Sequence, residues 1–438
     1  MNAPNISRAA LGRVVASLAT RSPAPAWREA RERIVAERAT VDGLLSADPV
    51  PSIYGFTTLL GHLDAEITGV DDVHATQRLL LESHLIGDAY DISASVARLV
   101  SAAKTEQLHQ GGSGIDPDLY DLVVESTTRF DQPIRGAWSA SYGSGDVVPA
   151  SWWASAVVGD RALVSGSTIA LINGSFYAAA VATLASLKLI DATSRVLALL
   201  ARHSPVAETA PVRGDGLPAE RLVSVFDRHP SPPPGDAQAP VSLRDSAPVI
   251  DTALTTFRHL GSALERRLGR TSANPLFIGE GGSFRATSQS SFLDPVLTLA
   301  LGDAEQLARL VLGVAHRVSV HTAAAAASTG AARPDLVQPP KVISALIERA
   351  DRLGGRPTRF SGDDSEGVED LRDGALLSAI TVLELARVIE DAVDLLGGAA
   401  SDDAEEIRRA LQSELLGAEP PEGLDEAVST IAPNPFRF

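Results

Sequence analysis

The longest apolar run in this 438-residue chain, Thr168 to Leu189, sets the first constraint on its fold. A membrane span takes roughly 18 to 20 uncharged apolar residues. Here Asn173, Gly174, Ser175 and Lys188 interrupt the run, so it reads as a helix buried inside a protein. A helix that is apolar all round is covered by its neighbours. The remaining chain is suited to supply them, since hydrophobic residues make up 45 % of it and aromatics only 5 %. Alanine, leucine and valine therefore carry most of the apolar content, and small helix-favouring side chains favour packed helices over sandwiches.

Periodicity extends that reading along the chain. Residues 25–47 have helical spacing with dense Arg and Glu, and Pro49, Pro51 and Gly55 then break it around Tyr54. Residues 73–106 read as one or two amphipathic helices, and 136–145 as a glycine- and serine-rich loop. Long apolar helices follow from 151 to 200, then a Pro/Asp/Gly-rich stretch from 204 to 240 that reads as a long loop. Helical pattern resumes near 246 and runs to about 416, broken at 271–291, 328–340 and 354–368, with an irregular tail from Pro420. The expected class is all-α. Long helices joined by long polar loops place the chemistry on loops held by a rigid bundle.

Charge and composition exclude several functions. A net charge of −17 disfavours a nucleic-acid partner, because phosphate binding needs clustered Lys and Arg. Zero cysteines exclude disulfides, thiolate metal sites and Cys nucleophiles. No metal site, no membrane span and no secretory leader are expected, and a cytoplasmic location fits.

Several loop motifs share an order. They are Tyr54-Gly-Phe-Thr-Thr-Leu-Leu-Gly61, Gln77-Arg-Leu-Leu-Leu-Glu-Ser-His-Leu-Ile-Gly87 and Gly112-Ser-Gly-Ile-Asp-Pro-Asp118. Next come Gly143-Ser-Gly-Asp146 with Pro149, Ala170-Leu-Ile-Asn-Gly-Ser175 and Gln238-Ala-Pro-Val-Ser-Leu-Arg244. Asn274-Pro-Leu276 and Ser291-Phe-Leu293 complete the series. Singly each is a common loop pattern, but their shared order and spacing resemble the aromatic amino acid lyase family, the histidine and phenylalanine ammonia-lyases and related aminomutases.

That resemblance implies a long helical bundle of the ammonia-lyase/fumarase type with a loop-rich N-terminal active-site domain. It divides the chain into 1–200, carrying the loops, and 201–438, the bundle. It implies a homotetramer whose apolar faces residues 297–325 and 371–397 could supply. It also implies a 4-methylidene-imidazole-5-one (MIO) electrophile, made autocatalytically from Gly143, Ser144 and Gly145. By the same resemblance Tyr54 is the base and Asn173 and Gln238 bond the electrophile and its loop. Arg244 grips a substrate carboxylate, Phe292 stacks near the substrate ring, and Leu59, Ser83 and His84 shape ring recognition. A small-molecule amino acid is the expected substrate, and an ammonia-lyase or aminomutase the expected enzyme.

The chain departs from the pattern at the pocket. Gly143 stands for the usual Ala, Val241 for Tyr, Leu59-Leu60 for Gly-Phe, Leu293 for His and Ser365 for a Glu. Two alternatives therefore stay open. One is an MIO-independent elimination, isomerisation or cyclisation of a specialised biosynthetic pathway on the same scaffold, and the other a non-catalytic member that binds a ligand or partner.

Overall fold

The computed structural model describes residues 8–67, 72–204, 217–229, 240–280, 283–330, 332–353, 361–398 and 401–431. The chain opens with α1 (Ala9–Thr20), α2 (Pro25–Glu29), α3 (Arg31–Leu45) and α4 (Val73–Glu82). A short strand, β1 (Tyr90–Ile92), leads to α5 (Ala94–His109), α6 (Pro117–Arg129) and β2 (Ile134–Gly136). Next are α7 (Val147–Val158), α8 (Ser167–Ile172) and α9 (Phe176–Ala201). The second half holds α10 (Leu217–Asp227), α11 (Val241–Arg244), α12 (Ala247–Leu268), the hairpin β3 (Leu276–Glu280) and β4 (Ser283–Thr287), and α13 (Pro295–Ser328). It closes with α14 (Pro339–Leu353), the hairpin β5 (Ser361–Asp364) and β6 (Glu369–Leu371), α15 (Ala375–Leu395), α16 (Asp402–Leu416) and α17 (Leu424–Ser429). The fold is all-α, with three two-stranded antiparallel pairs as its described strand content.

Helix starts follow the local chemistry. Asp116 accepts from the N–H groups of Asp118 and Leu119, both at 3.1 Å, with Pro117 in the first turn of α6. Asp294 caps α13 through the Leu297 N–H at 3.0 Å, again with a proline next. These side chains satisfy donors that a helix leaves unpaired.

The apolar run singled out above becomes α8 and α9, and α9 is buried along nearly its whole length. It packs on α15, α16, α13 and α12, and on α5 from the N-terminal part. The helix that ends at the expected 200/201 division is thus the central member of the bundle.

Two expectations for whole stretches need correction. The stretch 204–240 contains the helix α10, whose Leu222, Val225 and Phe226 are buried; proline and glycine around it mask an 11-residue amphipathic run. The tail contains α17, anchored by buried Leu424 and Val428. Of the one or two helices expected over 73–106, the chain forms two, α4 and α5, with β1 between them. His84 consequently lies just beyond α4 instead of on a helix.

Candidate active site

The loop 137–146 starts where β2 ends and stops where α7 begins. Pairing of Tyr90, Asp91 and Ile92 with Gly136, Arg135 and Ile134 fixes its entry. Its backbone then turns sharply, with φ of +82° at Gly143, +75° at Gly145 and +50° at Asp146. Such values are open to glycine and rare for other residues, with aspartate among the more tolerant. Asp146 is held in place by Ser141 Oγ, which donates to Oδ1 at 2.6 Å, and by the Ala178 N–H, which donates to Oδ2 at 3.2 Å. The Gly143 N–H donates to Ser141 Oγ at 3.2 Å, and the Gly143 carbonyl accepts from the Asp373 N–H at 2.8 Å. Ser144 is buried between these anchors. Phe292 lies over the loop, since a Cβ built on Gly145 would meet its ring at 3.6 Å.

Three carboxyls and one guanidinium sit behind this loop. Burial, and then Asp373, push the Asp146 carboxyl up to about 7. Burial also raises Asp373, against the pull of the N–H groups of Asp294 and Ala375, which donate to it at 2.6 and 3.0 Å. Buried Arg267 donates to the Ser291 carbonyl and is the cation acting on Asp146, Asp294 and Asp373. Its Nε and Nη2 have no protein hydrogen-bond partner. Asp373 therefore ties the loop to the first turns of both α13 and α15.

Tyr54 lies in the loop between α3 and α4, half-buried against the core. Its phenol oxygen accepts from the Gly61 N–H at 3.0 Å. That bond favours a phenolate, but burial outweighs it and raises the phenol, and the charges of Glu369 and Asp64 add to the rise. A tyrosine base needs the opposite shift. Leu59 is half-buried beside it, its N–H donating to the Glu66 carbonyl at 3.1 Å. Gln77 pins the loop from α4: its Nε2 donates to the Gly55 carbonyl at 3.1 Å, and its Oε1 accepts from the Thr168 N–H at 2.9 Å. Ser83 donates to the Leu80 carbonyl at 2.9 Å, and His84 Nδ1 lies 2.7 Å from the same oxygen.

Asn173 ends α8 and is buried, with Oδ1 lacking a protein partner. Its backbone carbonyl accepts from Lys104 Nζ at 2.9 Å. Lys104 is buried without a carboxylate beside it, 4.4 Å from the centroid of the Phe176 ring, and desolvation lowers it to about 7. Arg244 closes the single turn of α11 and is exposed in the lone chain. Gln238 lies outside the described residues.

Phe292 thus joins the Gly143–Gly145 loop, while Tyr54 and Leu59 belong to a separate loop held by Gln77. Sequence reasoning missed Asp373, Arg267, Lys104 and Glu369. Asp373 and Arg267 belong to no recognisable motif. A lysine on the otherwise uncharged stretch Leu99–Thr105 was a readable signal for Lys104. Among the described residues, no cluster of three or more His, Asp or Glu is placed to hold a metal ion.

Comparison with known proteins adds to this geometry. The family model for aromatic amino acid lyase matches residues 10–169. A histidine ammonia-lyase of Sorangium cellulosum is 28 % identical over 183 residues, 40 % of this chain and 36 % of that protein. Another, from Paracidovorax citrulli, is 26 % identical over 313 residues, 61 % of this chain and 60 % of that one. The chain therefore spans between about a third and three fifths of the length of these curated relatives. Among solved structures, a tyrosine aminomutase mutant with bound ligand superposes with a TM-score of 0.72 at 17 % identity, covering 98 % of this chain and 95 % of the other. That likeness extends the shared fold well beyond the segment matched by sequence.

Proposed function

We propose that this chain is a divergent member of the aromatic amino acid lyase family, whose model matches residues 10–169, and that it is a carbon–nitrogen lyase or aminomutase acting on an aromatic or related amino acid. The reading takes Gly143, Ser144 and Gly145 as the source of an MIO electrophile. The observation that carries it is the conformation of that loop. Three anchors, at Ser141, Asp146 and Asp373, hold the backbone bent at Gly143 and Gly145, as closing a five-membered ring between those two residues requires. The chain's own groups therefore fit the electrophile, and glycine at 143 supplies the carbonyl that cyclisation needs.

When formed, that group offers an electrophilic methylidene to the substrate. The rest of the chemistry falls to side chains. Tyr54 takes a proton once a nearby positive group or the bound substrate offsets its raised phenol. Arg244 holds the carboxylate by paired donors, Asn173 and Gln238 donate toward the electrophile, and Phe292, Leu59, Ser83 and His84 bound the pocket. Residues 1–200 contribute most of these loops and 201–438 most of the bundle, with α9 shared by both. A homotetramer in the cytoplasm completes the reading.

The departures at the pocket, and the upward shift of Tyr54, favour one second reading: an MIO-independent elimination or isomerisation at the same site. An intact mass with a peptide map around Ser144 separates the two. A peptide lighter by two waters, followed by acrylate absorbance or β-amino acid formation in an amino acid screen, supports the first. A peptide of full mass overturns it and leaves the second.

A further inference from the structure

The stretch Arg372–Asp373, between β6 and α15, crosses directly over Gly143. Asp373 donates its N–H to the Gly143 carbonyl at 2.8 Å. On the same glycine, a Cβ would stand 2.2 Å from the Asp373 carbonyl oxygen and 3.3 Å from Arg372 Cβ. The first of these contacts is with backbone, which cannot swing away as a side chain would. Residue 143 also has a φ of +82°, which a side chain resists independently. The departure from the family's alanine is thus matched by a feature elsewhere in the chain.

Resting on the cyclisation reading above, we propose that the Asp373 peptide N–H is the donor that activates the Gly143 carbonyl for ring closure, and that residue 143 is glycine because this segment crosses it. In the step, the Gly145 nitrogen forms a bond to the Gly143 carbonyl carbon while the carbonyl π pair moves onto oxygen. That oxygen, where negative charge gathers, is the atom held by Asp373. It leaves as water with the hydrogens of the Gly145 and Ser144 nitrogens, placing a double bond between the Ser144 nitrogen and the former carbonyl carbon. The second water takes the Ser144 hydroxyl and its Cα hydrogen, leaving the methylidene.

A preformed donor 2.7–3.1 Å from a developing oxyanion is worth about 10²–10³ in rate. Asp373 is well placed to be one. Its carboxylate is fixed by the N–H groups of Asp294 and Ala375, so its own N–H is aimed before the reaction starts. The consequence runs against family resemblance: restoring alanine should damage the loop of this chain.

The test measures the peptide spanning residues 143–145 by mass in the full-length wild type and in G143A, D373A and D373P, each checked for helical content. D373A keeps the N–H and loses the carboxylate, whereas D373P loses both. We expect a wild-type peptide lighter by two waters, D373A still substantially cyclised, and at least a tenfold lower cyclised fraction in G143A and D373P at matched times. If the wild type and G143A cyclise alike, or D373P matches D373A, the crossing-segment assignment is wrong while the cyclisation reading survives. If the wild type has full mass, both are wrong. Should G143A fail to fold, the comparison of D373P with D373A still decides the role of the N–H.

Discussion

Asp146 occupies a place where the charged form of a carboxyl is expensive, being buried next to Asp373. Its ordinary value of 3.8 rises to about 7 on folding. A raised acid binds its proton more tightly in the native state, so its contribution is best below pH 4 and declines as pH climbs toward 7. Asp146→Asn keeps a carbonyl for the Ala178 N–H and removes the titration, with Ser141 turning to accept. The stability of wild type relative to D146N should therefore fall between pH 4 and 7, by on the order of 3–4 kcal/mol, as chemical denaturation at each pH would reveal. A constant difference would mean that Asp146 stays ionised. Tyr54 gives a second expectation. With its phenol raised by burial and by Glu369, the rate at subsaturating substrate should climb into alkaline pH, and Glu369→Gln should move that limb downward by removing a negative charge. A limb unmoved in E369Q would detach Glu369 from Tyr54. These residues also show the limits of sequence reading. Ser144, Asp146 and Asn173 stand in contiguous motifs and were legible, whereas Asp373 meets Gly143 only through tertiary folding, 230 positions along the chain, with nothing local to announce it.

Helices were readable because burial imposes a period on the sequence, as in α12, α13 and α15, or leaves a long run that is apolar all round, as in α9. The β1–β2 pair was not. β1 and β2 have three residues each, too short to establish an alternation, and their pairing joins segments separated by α5 and α6. The same long-range logic holds the N-terminal helices. Glu106, wholly buried on α5, accepts from Arg13 of α1 at 2.6 and 2.9 Å, and from Trp27 Nε1 of α2 at 2.6 Å. One carboxylate thus docks two elements onto a third. Glu106→Ala leaves the buried Trp27 indole N–H unpaired and the partly exposed Arg13 without its carboxylate, a loss of about 1–3 kcal/mol. Unfolding in urea should register that loss, with earlier proteolysis near residues 9–29 than in wild type. A loss below about 1 kcal/mol would show that packing alone docks α1 and α2.

At the scale of the molecule, the two most apolar long segments behave differently. Ser167–Ala201 is wholly buried in its most apolar window, but only a third of the corresponding window of Pro295–Ser328 is buried. Val296, Leu299, Leu310 and Val320 of α13 are exposed in the lone chain, at spacings that bring them onto one face, and Leu377 is exposed near the start of α15. Gly302 and Gly313, also on α13, have open space where a side chain would be. An apolar stripe of this length is costly to leave in water, and close approach of helices favours small residues along the seam. The stripe fits the proposed homotetramer, with α13 of one chain meeting its equivalent in another. Placing charge on the face tests this without disturbing the core, because both target side chains point away from α9. L299E/L310E should retain the helical content of wild type while its light-scattering mass falls from that of four chains toward that of one. If active sites are shared between chains, catalysis falls with it by at least tenfold even though Tyr54 and Ser144 are untouched. A variant that keeps the wild-type mass would remove α13 from the interface, and a monomer with full activity would place the whole site within one chain.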